Sequence, residues 1–125
     1  MRPTRLIYVE NDPALLGVMS TVLRSQPMLD LIFASSGPLE VLGSEYVEQA
    51  DVALLDLALG RDTLTGMDLG MALRNRNPVV RTRWLHGHSP AQLNFDFQRS
   101  PSESVNRFVI RICLAVIFGA ETPSL

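Results

Sequence analysis

Three acids in this chain stand where chemistry can be done. Glu10 and Asp12, in the run Glu10-Asn11-Asp12-Pro13, follow the apolar segment Leu6-Ile7-Tyr8-Val9. Asp56 follows a second such segment, Val52-Ala53-Leu54-Leu55. Both segments have the length and composition of buried strands, so each acid falls where a strand ends and its loop begins. In an open parallel α/β sheet the carboxyl ends of neighbouring strands face one crevice, and ligands bind there. Two strand-end acidic sites in one crevice can hold a hard cation through oxygen ligands. One carboxylate is then left to act as a nucleophile toward phosphorus. The chemistry these residue types imply is formation of an aspartyl phosphate at Asp56.

The elements that must position these acids are legible in the periodicity. Asp12 caps a helix whose first position is Pro13, where the missing N–H costs nothing. Leu15, Val18, Met19, Val22 and Leu23 then recur at helical spacing and give that helix one buried face. Residues 28–33 read as a second strand, with Asp30 pointing to a place near an edge. Pro38 opens another helix, with Leu39, Leu42 and Tyr46 on one side. Residues 51–56 form a third strand, nearly all apolar, as a strand covered on both faces is. Thr65-Gly66-Met67-Asp68 is a capping-box pattern, with hydroxyl and carboxylate three apart. Leu69, Ala72 and Leu73 carry the inner face of the helix it starts, and Asn77-Pro78 stops it. Met19, Met67 and Met71 read as core or gap-filling residues. The β-α-β-α-β-α order implies a parallel sheet with right-handed crossovers.

Composition bounds the class. The 125 residues suit one domain with its own core, and 46% hydrophobic with 19% charged residues is a globular balance. A net charge of −2 gives no global electrostatic reason to bind nucleic acid. The start runs directly into a strand-like segment with no signal-peptide pattern, and the longest greasy stretch, residues 108–118, is interrupted by Arg111. It falls short of the roughly 20 residues that span a bilayer. These features predict a cytoplasmic chain with no membrane partner. Cys113 is the only cysteine, which excludes an intrachain disulfide. All 11 basic residues are arginine, so no step that needs a lysine ammonium is available.

Past Pro78 the pattern changes. Up to that residue there are ten acids and six arginines; from Val79 onward there are three acids and five arginines. Residues 79–85 should be a central strand, yet Arg81 and Arg83 both fall inside it. A strand buried on both faces does not readily hold two unpaired guanidiniums. Residues 86–107 are mostly polar, and residues 108–118 offer a fifth strand and the start of a last helix.

Leu6 to Pro13, the run from Asp51 to Leu57, their separation, and Gly66-Met67-Asp68-Leu69 further on together resemble the receiver domains of bacterial two-component response regulators. The resemblance covers residues 5–78. It implies an α/β, flavodoxin-like three-layer sandwich with a parallel five-stranded sheet in the order 2-1-3-4-5. It also implies a signalling protein rather than an enzyme, with Asp56 as phosphoacceptor, a sensor histidine kinase as partner and Mg²⁺ as cofactor. The ion's implied ligands are Glu10, Asn11, Asp56 and the carbonyl of Ala58. Asn11 replaces one of the family's two acids, so a charge is missing and Mg²⁺ should bind weakly. By spacing, the family's strand-four hydroxyl falls at His86, its switch aromatic at Phe108 and its strand-five lysine at Arg111, followed by Ile112 instead of proline. Imidazole and guanidinium both donate to phosphate, without the size and reach of the groups they replace.

Other chemistries fit less well. A haloacid-dehalogenase-type phosphatase needs a second acid two positions after the first, and that position is Ala58. A phosphate-binding loop at residues 60–66 lacks its Gly-Lys-Ser/Thr ending. A flavin phosphate would be repelled by Glu10-Asn11-Asp12-Pro13. His86 and His88 share a strand face but have no third histidine and no nearby cysteine for zinc. From the length, no helix-turn-helix DNA-binding domain is expected in this chain. Two readings stand beside the phosphoacceptor. One is a pseudo-receiver that binds a protein without phosphorylation; the other is a receiver whose part beyond Pro78 is altered or truncated, as after a shifted reading frame.

Overall fold

The computed structural model describes residues 2–56 and 65–84. In chain order they form β1 (Thr4–Val9), α1 (Pro13–Arg24), β2 (Leu29–Ser35) and α2 (Pro38–Leu42). A turn of 3-10 helix (Glu45–Gln49), β3 (Val52–Leu55), α3 (Gly66–Arg76) and β4 (Arg81–Trp84) follow. The strands pair in parallel in the order β2-β1-β3-β4. This is the expected α/β order through the fourth strand, and the expected fifth strand lies outside the described residues.

Alternation along β1 and β3 builds the layers, because successive strand side chains point to opposite faces. Leu6, Tyr8, Val52 and Leu54 pack with Leu15, Met19 and Leu23 of α1. Ile7, Val9, Ala53 and Leu55 pack with Val41 of α2 and with Leu69 and Leu73 of α3. All four residues of β3 are fully buried, as its unbroken apolar run requires.

Local signals place the helices. Asp12 Oδ1 accepts from the N–H groups of Ala14 at 2.9 Å and Leu15 at 3.3 Å, with Pro13 in the first turn of α1. At α3, Thr65 Oγ1 accepts from Asp68 N at 3.1 Å, and Thr65 N donates to the Asp68 carboxylate at 3.4 Å, closing the capping box. Asn77 ends α3, and its buried amide donates to the carbonyls of Val47 at 2.9 Å and Ala50 at 3.0 Å. Arg76 donates to the Glu48 carboxylate and to the Leu42 and Ser44 carbonyls. Both residues tie the end of α3 to the irregular segment leading into β3. Among the described residues no helix is long and apolar enough to cross a membrane.

Four expectations need correction. β2 begins and ends later than residues 28–33, because Ala34 and Ser35 continue the ladder opposite Tyr8 and Val9. The register slips between Leu6 and Ile7, where Ile32 is the extra residue. Leu39 is 69% exposed, and Val41 and Val47 are the buried residues instead. The helix stops at Leu42 and a 3-10 turn takes over, so Leu39 and Tyr46 do not share one helical face. Met67 and Met71 are exposed, since Gly66 and Gly70 with Leu69 and Leu73 form the inner face of α3. Finally, β4 is not buried throughout: Arg81 is exposed and Arg83 half-buried, donating through Nη1 to the Thr82 carbonyl at 3.0 Å. Arg81 thus reaches the surface, while the Nε of Arg83 is buried without a hydrogen-bond partner among the described residues.

Candidate functional site

The carboxyl ends of β1 and β3 lie side by side. Val9 pairs with Leu55, and Asp56 N donates to the Val9 carbonyl at 3.0 Å. Glu10 and Asp56 are thereby the first residues beyond two central strands, at the same end of the sheet. Glu10 N donates to the carbonyl of Ser35, at the end of β2, at 3.1 Å. The strand ladder fixes both backbones before either side chain does anything.

Both side chains are buried, Glu10 completely and Asp56 at 4% exposure. Glu10 Oε2 accepts from Asp12 N at 3.1 Å. Among the described residues no N–H reaches the other oxygen, Oε1, and the Asp56 carboxyl is the neighbouring acid. Burial first, then the Asp56 carboxyl beside it, push the Glu10 carboxyl from its ordinary 4.5 up to about 8, against the pull of the Asp12 N–H.

The predicted residues divide accordingly. The structure brings Glu10 and Asp56 together. Asn11 is adjacent but exposed. Asp12 is engaged as the cap of α1 and does not complete the pair. Ala58, His86, Phe108 and Arg111 lie outside the described residues, as do His88 and Cys113. Two residues at this end of the sheet were missed. Ser35, buried at the end of β2, accepts from Gly37 N through Oγ at 3.0 Å. Trp84, at the end of β4, donates from its indole to the Gly66 carbonyl at 3.1 Å. Gly70, a glycine inside a helix, was the available signal for a close approach there.

Two buried carboxyls side by side offer the hard oxygen ligands that Mg²⁺ takes, and the ion's charge would offset theirs. The described residues contain no group of three or more His, Cys, Asp or Glu side chains able to hold a metal. Mg²⁺ keeps several waters and binds through one or two carboxylates, so Glu10 and Asp56 fit it, with Asn11 adding at most a neutral oxygen.

No protein-family model and no curated protein matches the sequence. Solved structures do match in fold. The non-phosphorylated receiver domain of the stress response regulator RcsB from Escherichia coli is 15% identical, with a TM-score of 0.64 over 98% of this chain and 99% of that one. The signal receiver domain of the response regulator NarL from Mycobacterium tuberculosis is 16% identical, with a TM-score of 0.59 over 88% of this chain and 95% of that one. The RcsB response regulator of Salmonella typhimurium, from a study of its DNA interaction, is 13% identical with a TM-score of 0.61. That match covers 99% of this chain, which spans only 64% of that protein. The fold is that of response-regulator receiver domains.

Proposed function

We propose that this chain is a receiver that accepts a phosphoryl group on Asp56 from a sensor histidine kinase. The observation that carries this reading is the buried Glu10–Asp56 carboxyl pair at the ends of two adjacent central strands. An Asp56 oxygen attacks phosphorus, and the P–N bond of a phosphohistidine, or the P–O bond of an acyl phosphate, breaks as the Asp56 O–P bond forms. The leaving group departs with the electron pair: the carboxylate of an acyl phosphate leaves as its anion, and the imidazole of a phosphohistidine takes up a proton from solvent as the P–N bond breaks. Glu10 and Asp56 would hold Mg²⁺, which when bound supplies positive charge against the phosphoryl oxygens. With its carboxyl pushed up to about 8, Glu10 must lose its proton for its oxygen to become a ligand. Burial of both acids keeps bulk water from the carboxylate that reacts.

A second reading, a pseudo-receiver that docks a protein without being phosphorylated, is favoured by one observation. Burial and the neighbouring Asp56 favour the protonated form of Glu10, and Asn11 stands where a further charge would help hold an ion. Intact-mass analysis separates the two readings. Incubation with acetyl phosphate and Mg²⁺ should add one phosphoryl group to the chain and none to Asp56→Asn. Equal labelling of both proteins rejects Asp56, and no labelling of either favours the pseudo-receiver.

A further inference from the structure

Trp84 is the chain's single tryptophan, and it ends β4 in register with Leu55, the residue before Asp56. Its indole N–H donates to the carbonyl of Gly66, the first residue of α3. Its ring occupies the space that Gly70 leaves open. A Cβ on Gly70 would stand 2.8 Å from Trp84 Cζ2, 3.5 Å from Leu55 Cδ1 and 3.6 Å from Thr82 Cγ2. Glycine is disfavoured inside a helix, so its place at this contact goes with the need for close approach. The ring thus fills the junction of α3 with the ends of β3 and β4, and the N–H fixes which way the ring lies across it.

We propose that Trp84 is a positioning residue for Asp56. It locks the first turns of α3 against the end of the β3–β4 pair, so the strand end that bears the nucleophile is held in place during phosphoryl transfer. This deepens the reading of Asp56 as phosphoacceptor and rests on it. Trp84 acts through Leu55, its backbone neighbour in the ladder and a lining residue of the same Gly70 contact. Transfer needs the carboxylate oxygen and phosphorus in a near-attack arrangement, and a shift of an ångström from a remote contact is enough to slow it.

Two substitutions disturb this contact from opposite sides. Trp84→Phe keeps a ring and removes the N–H, whereas Gly70→Ala keeps the indole and displaces it. With the whole chain, acetyl phosphate and Mg²⁺, each should lower the maximal labelling rate on the order of tenfold. The acetyl phosphate concentration at half-maximal rate should not change. A purely structural role would instead reduce the labelled fraction and leave the rate per folded molecule intact. In the unsubstituted protein, Trp84 emission should shift on adding Mg²⁺ and beryllium fluoride, and this shift should be absent in Asp56→Asn. A folded variant that labels at the unsubstituted rate overturns the role of Trp84 and leaves Asp56 standing. An unsubstituted chain that takes no label overturns both. If neither variant folds, the emission decides: a shift supports the role, and an unchanged spectrum in a protein that labels overturns it.

Discussion

Glu10, beyond the end of β1, and Asp56, beyond the end of β3, bring two carboxyls together where neither has appreciable contact with solvent. The pair is made by the ladder: Val9 and Leu55 are in register, and the next residue of each strand follows into the same place. Two carboxylates brought together out of water oppose each other's charge, so the pair favours uptake of a proton or a cation.

Without metal, the fold should lose stability as pH rises. The Glu10 carboxyl goes from 4.5 to about 8 on folding, so between these values the folded chain binds more protons than the unfolded one. Its contribution is complete below pH 4.5 and is lost as pH rises through 8. The loss is on the order of a few kcal/mol, at 1.36 kcal/mol per unit. Urea unfolding at pH 5, 7 and 9 should show the fall, and Glu10→Gln should flatten it. A stability that rises steadily from pH 5 to 9 would contradict the raised Glu10 carboxyl.

Metal binding should be coupled to the same proton. Below pH 8, Mg²⁺ uptake should release protons, and the heat of binding should vary with the ionisation enthalpy of the buffer. Asn11→Asp adds a carboxylate beside the pair and should tighten binding, as ligand charge does at oxygen sites. Calorimetry showing no proton release, together with equal or weaker binding by Asn11→Asp, would remove the ion from this site.

Asn77 carries the junction that delivers the chain into β3. Its buried amide donates to Val47 and Ala50, and its Oδ1 accepts from Val79 N at 3.3 Å. Asn77→Leu leaves two carbonyls and an N–H without this partner, a loss of about 1–3 kcal/mol. A change of less than about 0.5 kcal/mol in denaturant unfolding would show that water replaces the amide freely.

Much of this was written locally in the sequence. Asp12 with Pro13, and Thr65 with Asp68, announce their helices because a cap needs only residues within one turn. The apolar runs before Glu10 and Asp56 announce the central strands because both faces are covered. The phase of α2 was not legible: its five residues give too short a pattern, and the 3-10 turn that follows changes the period. Nor was the bulge at Ile32, which depends on how β2 meets β1. The meeting of Glu10 with Asp56, and the indole of Trp84 lying over Gly70, join segments far apart in the chain. Spacing alone brings neither pair into contact.

The central claim is that Asp56 is the atom acceptor of a phosphoryl group. An acyl phosphate is reduced by borohydride to an alcohol, which converts a phosphorylated aspartate into homoserine. The chain should be treated with acetyl phosphate and Mg²⁺, reduced, digested and sequenced by mass spectrometry. Homoserine at position 56 and at no other acid is the predicted result. Its absence in a chain shown to be folded, or its appearance at Glu10 or Asp12 instead, would contradict the assignment.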